Sequence, residues 1–105
     1  MVKESQSMNG KPYNIFMAPS AHRIYKKFSR VLQEKIKSEA LEIAKEPYVW
    51  KELKSPFKGI RARRFTHGGT EYRIAYRIVI EQQQMEIVLV GPRENFYKIL
   101  SKNIK

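Results

Sequence analysis

The apolar residues of this chain follow two different periods. From Ala21 they recur at helical spacing: Ala21, Ile24, Tyr25 and Phe28, then Leu32, Ile36, Ala40, Ile43 and Ala44. Each set occupies one face of a helix. Pro19 and Ser20 offer a stop and a cap before the first helix, Ser29 can cap the second, and Pro47 ends it. Two helices joined this tightly form an antiparallel hairpin. Ahead of them, "YNIFMA" (13 to 18) has the β-branched and aromatic content of a short strand.

Beyond "YVWKELKSPFKG" (48 to 59), a connector that Tyr48 and Trp50 are expected to pin to the core, the period shortens to two. "GIRARRF" (59 to 65) sends Ile60 and Ala62 one way and Arg61 and Arg63 the other. Arg64 breaks the alternation, so the strand is expected to end or bulge there. "THGGTE" supplies two glycines for a turn. In the next strand Tyr72, Ile74, Tyr76, Ile78 and Ile80 form the inward face, with Arg73, Ala75, Arg77 and Val79 opposite. "EQQQ" turns the chain, "MEIVLV" (85 to 90) is apolar on both faces as a central strand would be, and "NFYKIL" begins a short closing helix. The pattern predicts an α+β fold: an N-terminal strand, a helical hairpin, a three-stranded antiparallel meander and a C-terminal helix, with helices grouped on one face of the sheet. Residues 1 to 11 read as a flexible polar tail, and residues 12 to 105 as a single domain.

Charge narrows the function. Twenty-one Lys and Arg against ten Asp and Glu leave a net +11 on 105 residues, which calls for a polyanionic partner. The chain has no cysteine and only two histidines, His22 and His67, so neither a disulfide framework nor a recognisable metal motif is expected. No cofactor is indicated. The start, "MVKESQSMNGKP", lacks the apolar stretch of a signal peptide, and no apolar run approaches a membrane span of ~20 residues. The expectation is a cytoplasmic protein.

The basic residues are not spread evenly. Between Lys58 and Arg77 there are six of them against a single acid, Glu71, and five of the eight arginines lie there. Strand parity sends Arg61, Arg63, Arg73 and Arg77 to one face. The planar guanidinium suits phosphate better than a lysine point charge. Gly91 and Pro92 end the central strand sharply and present Arg93, with Tyr97 one helical turn beyond it. An arginine and a tyrosine converging there can hold a phosphate and stack on, or exchange a proton with, a nucleotide.

The stretch "FKGIRARRF…GGTEYRIAYRI…MEIVLVGPRENFYKIL" resembles the RelE/ParE superfamily of bacterial and archaeal type II toxins. The likeness spans residues 13 to 100 and is tightest from 57 onward. It rests on the order of three short motifs: the basic strand, the Tyr-Arg-Ile-x-Tyr strand, and the Val-Gly-x-Arg turn followed by a tyrosine. The resemblance implies a RelE-like fold and a toxin neutralised by a cognate antitoxin. In the RelE branch it also implies cleavage of mRNA in the ribosomal A site by attack of the 2′-hydroxyl on the adjacent phosphate, in contact with ribosomal RNA. Carried over by position, it makes Arg61, Arg63, Arg73, Arg93 and Tyr97 the catalytic set; Lys58, Arg64, Arg77 and His67, from the same basic stretch, are the expected RNA-binding neighbours.

Two departures bear on the chemistry. Arg61 and Arg63 stand where well-known members have lysines, and the interval from Arg93 to Tyr97 is shorter than in some members. Arginine is never deprotonated in proteins, so it cannot be the general base. Tyr97, His67 and Glu71 are the candidates. A ParE-like toxin acting on DNA gyrase and a non-catalytic RNA-binding or ribosome-binding module would share the same fold.

Overall fold

The computed structural model describes residues 12–103; the expected polar tail of residues 1–11 lies outside the described residues. The elements are β1 (Asn14–Met17), α1 (Pro19–Tyr25), α2 (Arg30–Lys45), β2 (Arg61–His67), β3 (Thr70–Val79), β4 (Gln84–Pro92) and α3 (Phe96–Asn103). They form one four-stranded sheet in the order β1-β4-β3-β2. β1 runs parallel to β4, and the β2-β3-β4 meander is antiparallel.

The helical hairpin follows its apolar pattern. Ser29 Oγ accepts a hydrogen bond from the Leu32 amide at 3.2 Å and caps α2, whose buried face is Leu32, Ile36, Glu39, Ala40, Ile43 and Ala44. Gln33 ties the hairpin turn by donating from Nε2 to the carbonyls of Tyr25 and Phe28, each at 3.1 Å. The start of α1 differs from expectation. Ala18 is the N-cap and makes no side-chain bond, Pro19 is already in the first turn, and Ser20 lies within the helix. Proline's fixed φ suits that first position, where its missing N–H would have no partner anyway.

Two apolar cores lie on opposite faces of the sheet. One packs Ile36, Ile43, Phe65, Ile74, Tyr76, Met85, Ile87 and Val90 against the hairpin. The other packs Ile60, Ala75, Val88 and Leu89 against Phe96 and Leu100 of α3. The expected grouping of all helices on one face is therefore corrected: α2 covers one face, α3 covers the other, and Ile24 of α1 reaches the α3-side core. A strand buried on both faces must be apolar at every position, as β4 is at 87–90.

The double core also explains the misread β2. Ile60 belongs to the α3 side and Phe65 to the hairpin side, so their opposite parity is real and needs no break at Arg64. β2 runs in unbroken register from Arg61 opposite Tyr76 to His67 opposite Thr70. The irregularity sits instead in the β3–β4 ladder, where Tyr76 pairs with Ile87 and Ala75 with Leu89, leaving Val88 as the extra residue. Gly68 (φ 59°) and Gly69 (φ 80°) close the two-residue β2–β3 hairpin with the paired positive φ values such a turn requires. Ile80 was expected to face inward, but it lies in a short 3-10 turn after β3 and is exposed.

Candidate functional site

Register decides which arginines meet. Cross-strand partners project to the same face of a sheet. Arg61 pairs with Tyr76 and Arg63 with Ile74, both of which point into the hairpin-side core. Arg64 pairs with Arg73, on the side covered by α3. The expected single face of Arg61, Arg63, Arg73 and Arg77 does not form, because the parity assigned to β2 was one residue out of phase with that of β3.

On the α3 side, Arg64, Arg73 and Tyr97 line a cleft of about 480 Å³ with Ala62, Leu53 and the connector residues Val49, Trp50 and Lys51. No carboxylate is among these lining residues. Each side chain is held by a different element. Arg64 is exposed at the second row of β2. Arg73 lies mid-strand in β3 with its side chain 15% exposed, and its Nε donates to Glu71 Oε2 at 3.1 Å. Its guanidinium carbon sits 5.1 Å from the centre of the Tyr97 ring. Tyr97, in the first turn of α3, is also flanked by Phe57 at 5.7 Å and Phe96 at 5.4 Å between ring centres. The ring is thus wedged, with one face taken by a cation.

Two arginines directly opposite on neighbouring strands repel one another. Glu71 offsets the charge of Arg73, while Arg64 remains exposed to solvent. An anion seated between the two guanidinium groups would relieve that repulsion, and a phosphate matches their fork geometry.

The remaining candidates lie elsewhere. Arg93 belongs to the turn before α3, not to the helix, so the expected one-turn spacing to Tyr97 does not apply. Asn95 breaks the path with φ 61°, and α3 begins at Phe96. The Arg93 amide donates to the Glu71 carbonyl at 2.9 Å, and its residue lines an adjoining cleft of about 580 Å³ with Gly69, Thr70, Glu71, Pro92 and Glu94. Glu71 links the two clefts, its carboxylate on Arg73 and its carbonyl on Arg93. Arg77 pairs with Glu86 at 3.2 Å across β3 and β4, beyond the buried Ala75 and α3. Lys58 is exposed in the connector, and His67 is half-buried at the end of β2; neither lines the Arg73 cleft.

Arg61 and Arg63 form a clamp on the hairpin side. Arg63 Nε donates to Glu39 Oε1 at 2.5 Å, while Lys35 Nζ lies 3.1 Å from Glu39 Oε2. The Arg63 guanidinium stands 4.8 Å above the Trp50 ring. Arg61 Nη1 donates to the Trp50 carbonyl at 2.6 Å and stacks 5.3 Å from the Tyr48 ring. Trp50 packs against the core as expected, but Tyr48 is 51% exposed, its ring meeting Tyr13 edge-on. Lys51 and Trp50 were missed as cleft residues, although the mixed basic and aromatic stretch "VWKELK" carried the signal.

Among the described residues, no group of three or more histidines and acids is placed to hold a metal ion, and no helix is long and apolar enough to cross a membrane.

Residues 15–101 match the sequence model of the ParE-like toxin of type II bacterial toxin-antitoxin systems. The free double-mutant form of the E. coli toxin RelE superposes with a TM-score of 0.72 at 18% identity, covering 90% of this chain and all of that one. The toxin–antitoxin complex RelBE2 of Mycobacterium tuberculosis matches with a TM-score of 0.69 at 27% identity, over 79% of this chain and all of the matched chain. The archaeal RelE–RelB complex of Pyrococcus horikoshii matches with a TM-score of 0.56 at 13% identity, over 80% and 98% of the two chains. No curated protein sequence matches. At 13% and 18% identity the likeness is one of fold.

Proposed function

The chain belongs to the ParE-like toxin family of type II bacterial toxin-antitoxin systems, and from that premise we propose that it is a ribosome-dependent mRNA endonuclease working in the cleft between β2, β3 and α3. The observation that carries this reading is the Arg64–Arg73 cross-strand pair beside Tyr97, in a cleft with no carboxylate among its lining residues. In the reaction, the 2′-hydroxyl of one nucleotide attacks the adjacent phosphorus. The bond to the 5′-oxygen of the next nucleotide breaks, leaving a 2′,3′-cyclic phosphate and a 5′-hydroxyl.

Arg64 and Arg73 stabilise the negative charge that builds on the phosphoryl oxygens. Such preorganised stabilisation is usually the largest single catalytic contribution. Arginine cannot take the 2′-hydroxyl proton. Of the candidate bases Tyr97, His67 and Glu71, Tyr97 alone lines this cleft; its phenolate form takes the proton, water protonates the departing 5′-oxygen, and the wedged ring favours this hydroxyl role over stacking on a base. Arg93 and Lys51 hold neighbouring phosphates. The cleft has no pair of histidines to act as independent acid and base, so the ribosome supplies alignment, and free RNA is a poor substrate. The partner that silences the toxin is an antitoxin of complementary charge, as the RelE–RelB complexes of its structural relatives suggest by analogy.

A second reading, inhibition of DNA gyrase, is favoured by the ParE-like description of the matching family. Purified protein added to a translation extract separates the two. Primer extension should reveal new mRNA ends inside codons of ribosome-bound message. Inhibition of gyrase supercoiling with intact mRNA would establish the second reading instead.

A further inference from the structure

The cleft contains two aromatic side chains, and their surroundings differ. Tyr97 is occupied by Arg73 over its ring and by Phe57 and Phe96 at its sides. Trp50 sits beside the edge strand β2 and reaches both sides of the sheet: it packs against the hairpin-side core, yet lines the α3-side cleft. Arg63 covers the indole from the hairpin side, since Arg63 shares a face with Ile74 while the cleft residues Arg64 and Arg73 share the other. Trp50 remains part-exposed, and with Lys51 it lines the cleft.

We propose that Trp50 is a nucleobase-stacking subsite for single-stranded RNA in this cleft, with Lys51 taking the adjoining phosphate. Arg63, held by Glu39, is a positioning residue that fixes the indole against the sheet edge. The inference rests on the proposed RNA chemistry of the Arg73 cleft. Single-stranded RNA exposes unstacked bases, and proteins capture them on aromatic faces backed by cations. An arginine on the far side of the indole gives the same layered arrangement, and its bond to a buried carboxylate removes the rotamer freedom that would blunt stacking. The connector that carries Trp50 is also fixed by its main chain: Arg61 donates to the Trp50 carbonyl, and the Leu53 amide donates to the Ile60 carbonyl at 2.7 Å.

Trp50 is the single tryptophan of the chain, so its emission reports directly on the subsite. The probe is a 2′-O-methyl hexaribonucleotide, which cannot be cleaved, titrated at low salt into the full-length protein. Saturable quenching is expected, with the same midpoint as the anisotropy of the end-labelled RNA. Trp50→Leu should raise the anisotropy midpoint about 5- to 150-fold, the range that loss of one base–aromatic stack gives. Trp50→Phe, which keeps a ring, should raise it far less. Arg63→Gln should weaken binding in the wild-type background and add little in Trp50→Leu, because its effect passes through the indole.

The subsite is overturned by absence of binding, by binding without a change in emission, or by wild-type affinity in folded Trp50→Leu. Equal losses from Arg63→Gln in both backgrounds overturn its positioning role. Should Trp50→Leu fail to fold, quenching and the Trp50→Phe titration decide. Ribosomal cleavage measured in parallel keeps the two proposals apart: cleavage without quenching sinks the subsite alone, and quenching without cleavage sinks the enzymatic reading alone.

Discussion

Arg63 and Arg64 are neighbours in sequence and perform opposite tasks. Arg63 is turned to the hairpin, where its side chain is 20% exposed and bonded to a Glu39 side chain that is 10% exposed. Arg63→Gln should cost about 1–3 kcal/mol in urea unfolding, the range for stranding a buried charged partner, with Lys35 tempering the loss. Arg64→Gln should leave stability within about 0.5 kcal/mol, as exposed substitutions usually do. Equal destabilisation by the two variants would mean that the faces are assigned wrongly. Tyr97→Phe keeps the packing against Phe57 and Phe96 but removes the hydroxyl. If that hydroxyl takes the proton, cleavage on the ribosome should slow by about 10²–10⁴, whereas an unchanged rate would transfer the role to another group. From the turn motif Tyr97 was expected to meet Arg93; Arg73 joined that set only through the family resemblance, and it is Arg73 that lies over the Tyr97 ring. The separation of Arg61 and Arg63 from them was not legible, because strand parity has no absolute phase until a partner strand fixes it, and Ile60 and Phe65 gave contradictory phases.

At the scale of elements, the helices and the meander strands were read from periodicity with caps and turns marking their ends, and the misassigned faces share a cause. A sheet covered on both faces buries residues of both parities, so Ile60 and Ala75 belong to one core and Phe65 and Ile74 to the other. An alternating pattern cannot express that. The connector between α2 and β2 has no period at all, and its attachment depends on contacts distant in sequence. One of these is the bond from the Tyr76 hydroxyl to the Pro47 carbonyl at 2.6 Å. Burial pushes the Tyr76 pKa well above the ordinary phenol value, against a lowering pull from Arg61 and Arg63. Burial, and then the Tyr48 hydroxyl, push Tyr13 up to about 12. The unfolded chain releases these protons near pH ~10 while the folded chain retains them. Their contribution is therefore complete below pH ~10 and falls as the pH rises through the folded values. Urea midpoints measured from pH 8 to 11.5 should decline, and Tyr76→Phe should shallow that decline while costing about 1 kcal/mol at pH 8. Parallel curves for the two proteins would show that Tyr76 is not a source of the alkaline loss.

The whole molecule carries +11, so its long-range field governs what it meets. An antitoxin of complementary charge should associate more slowly as salt rises, with the association rate dropping at least about tenfold from 20 to 300 mM salt. A salt-independent rate, measured by stopped flow with the purified partner, would show that apolar surface alone guides the encounter. On the proposed function, RNA is cut in the Arg64–Arg73–Tyr97 cleft. Arg73 sits mid-strand over the Tyr97 ring, with its side chain 15% exposed and paired with Glu71, so Arg73→Ala should lose about 1–3 kcal/mol of stability and still fold. The most direct test is the rate of ribosome-dependent mRNA cleavage by Arg73→Ala against wild type, read by primer extension, with thermal unfolding as the control for folding. The expected result is a loss of about 10²–10³, the usual consequence of removing one donor that stabilises transition-state charge. Near-wild-type cleavage by a folded Arg73→Ala protein would contradict the assignment of the cleft.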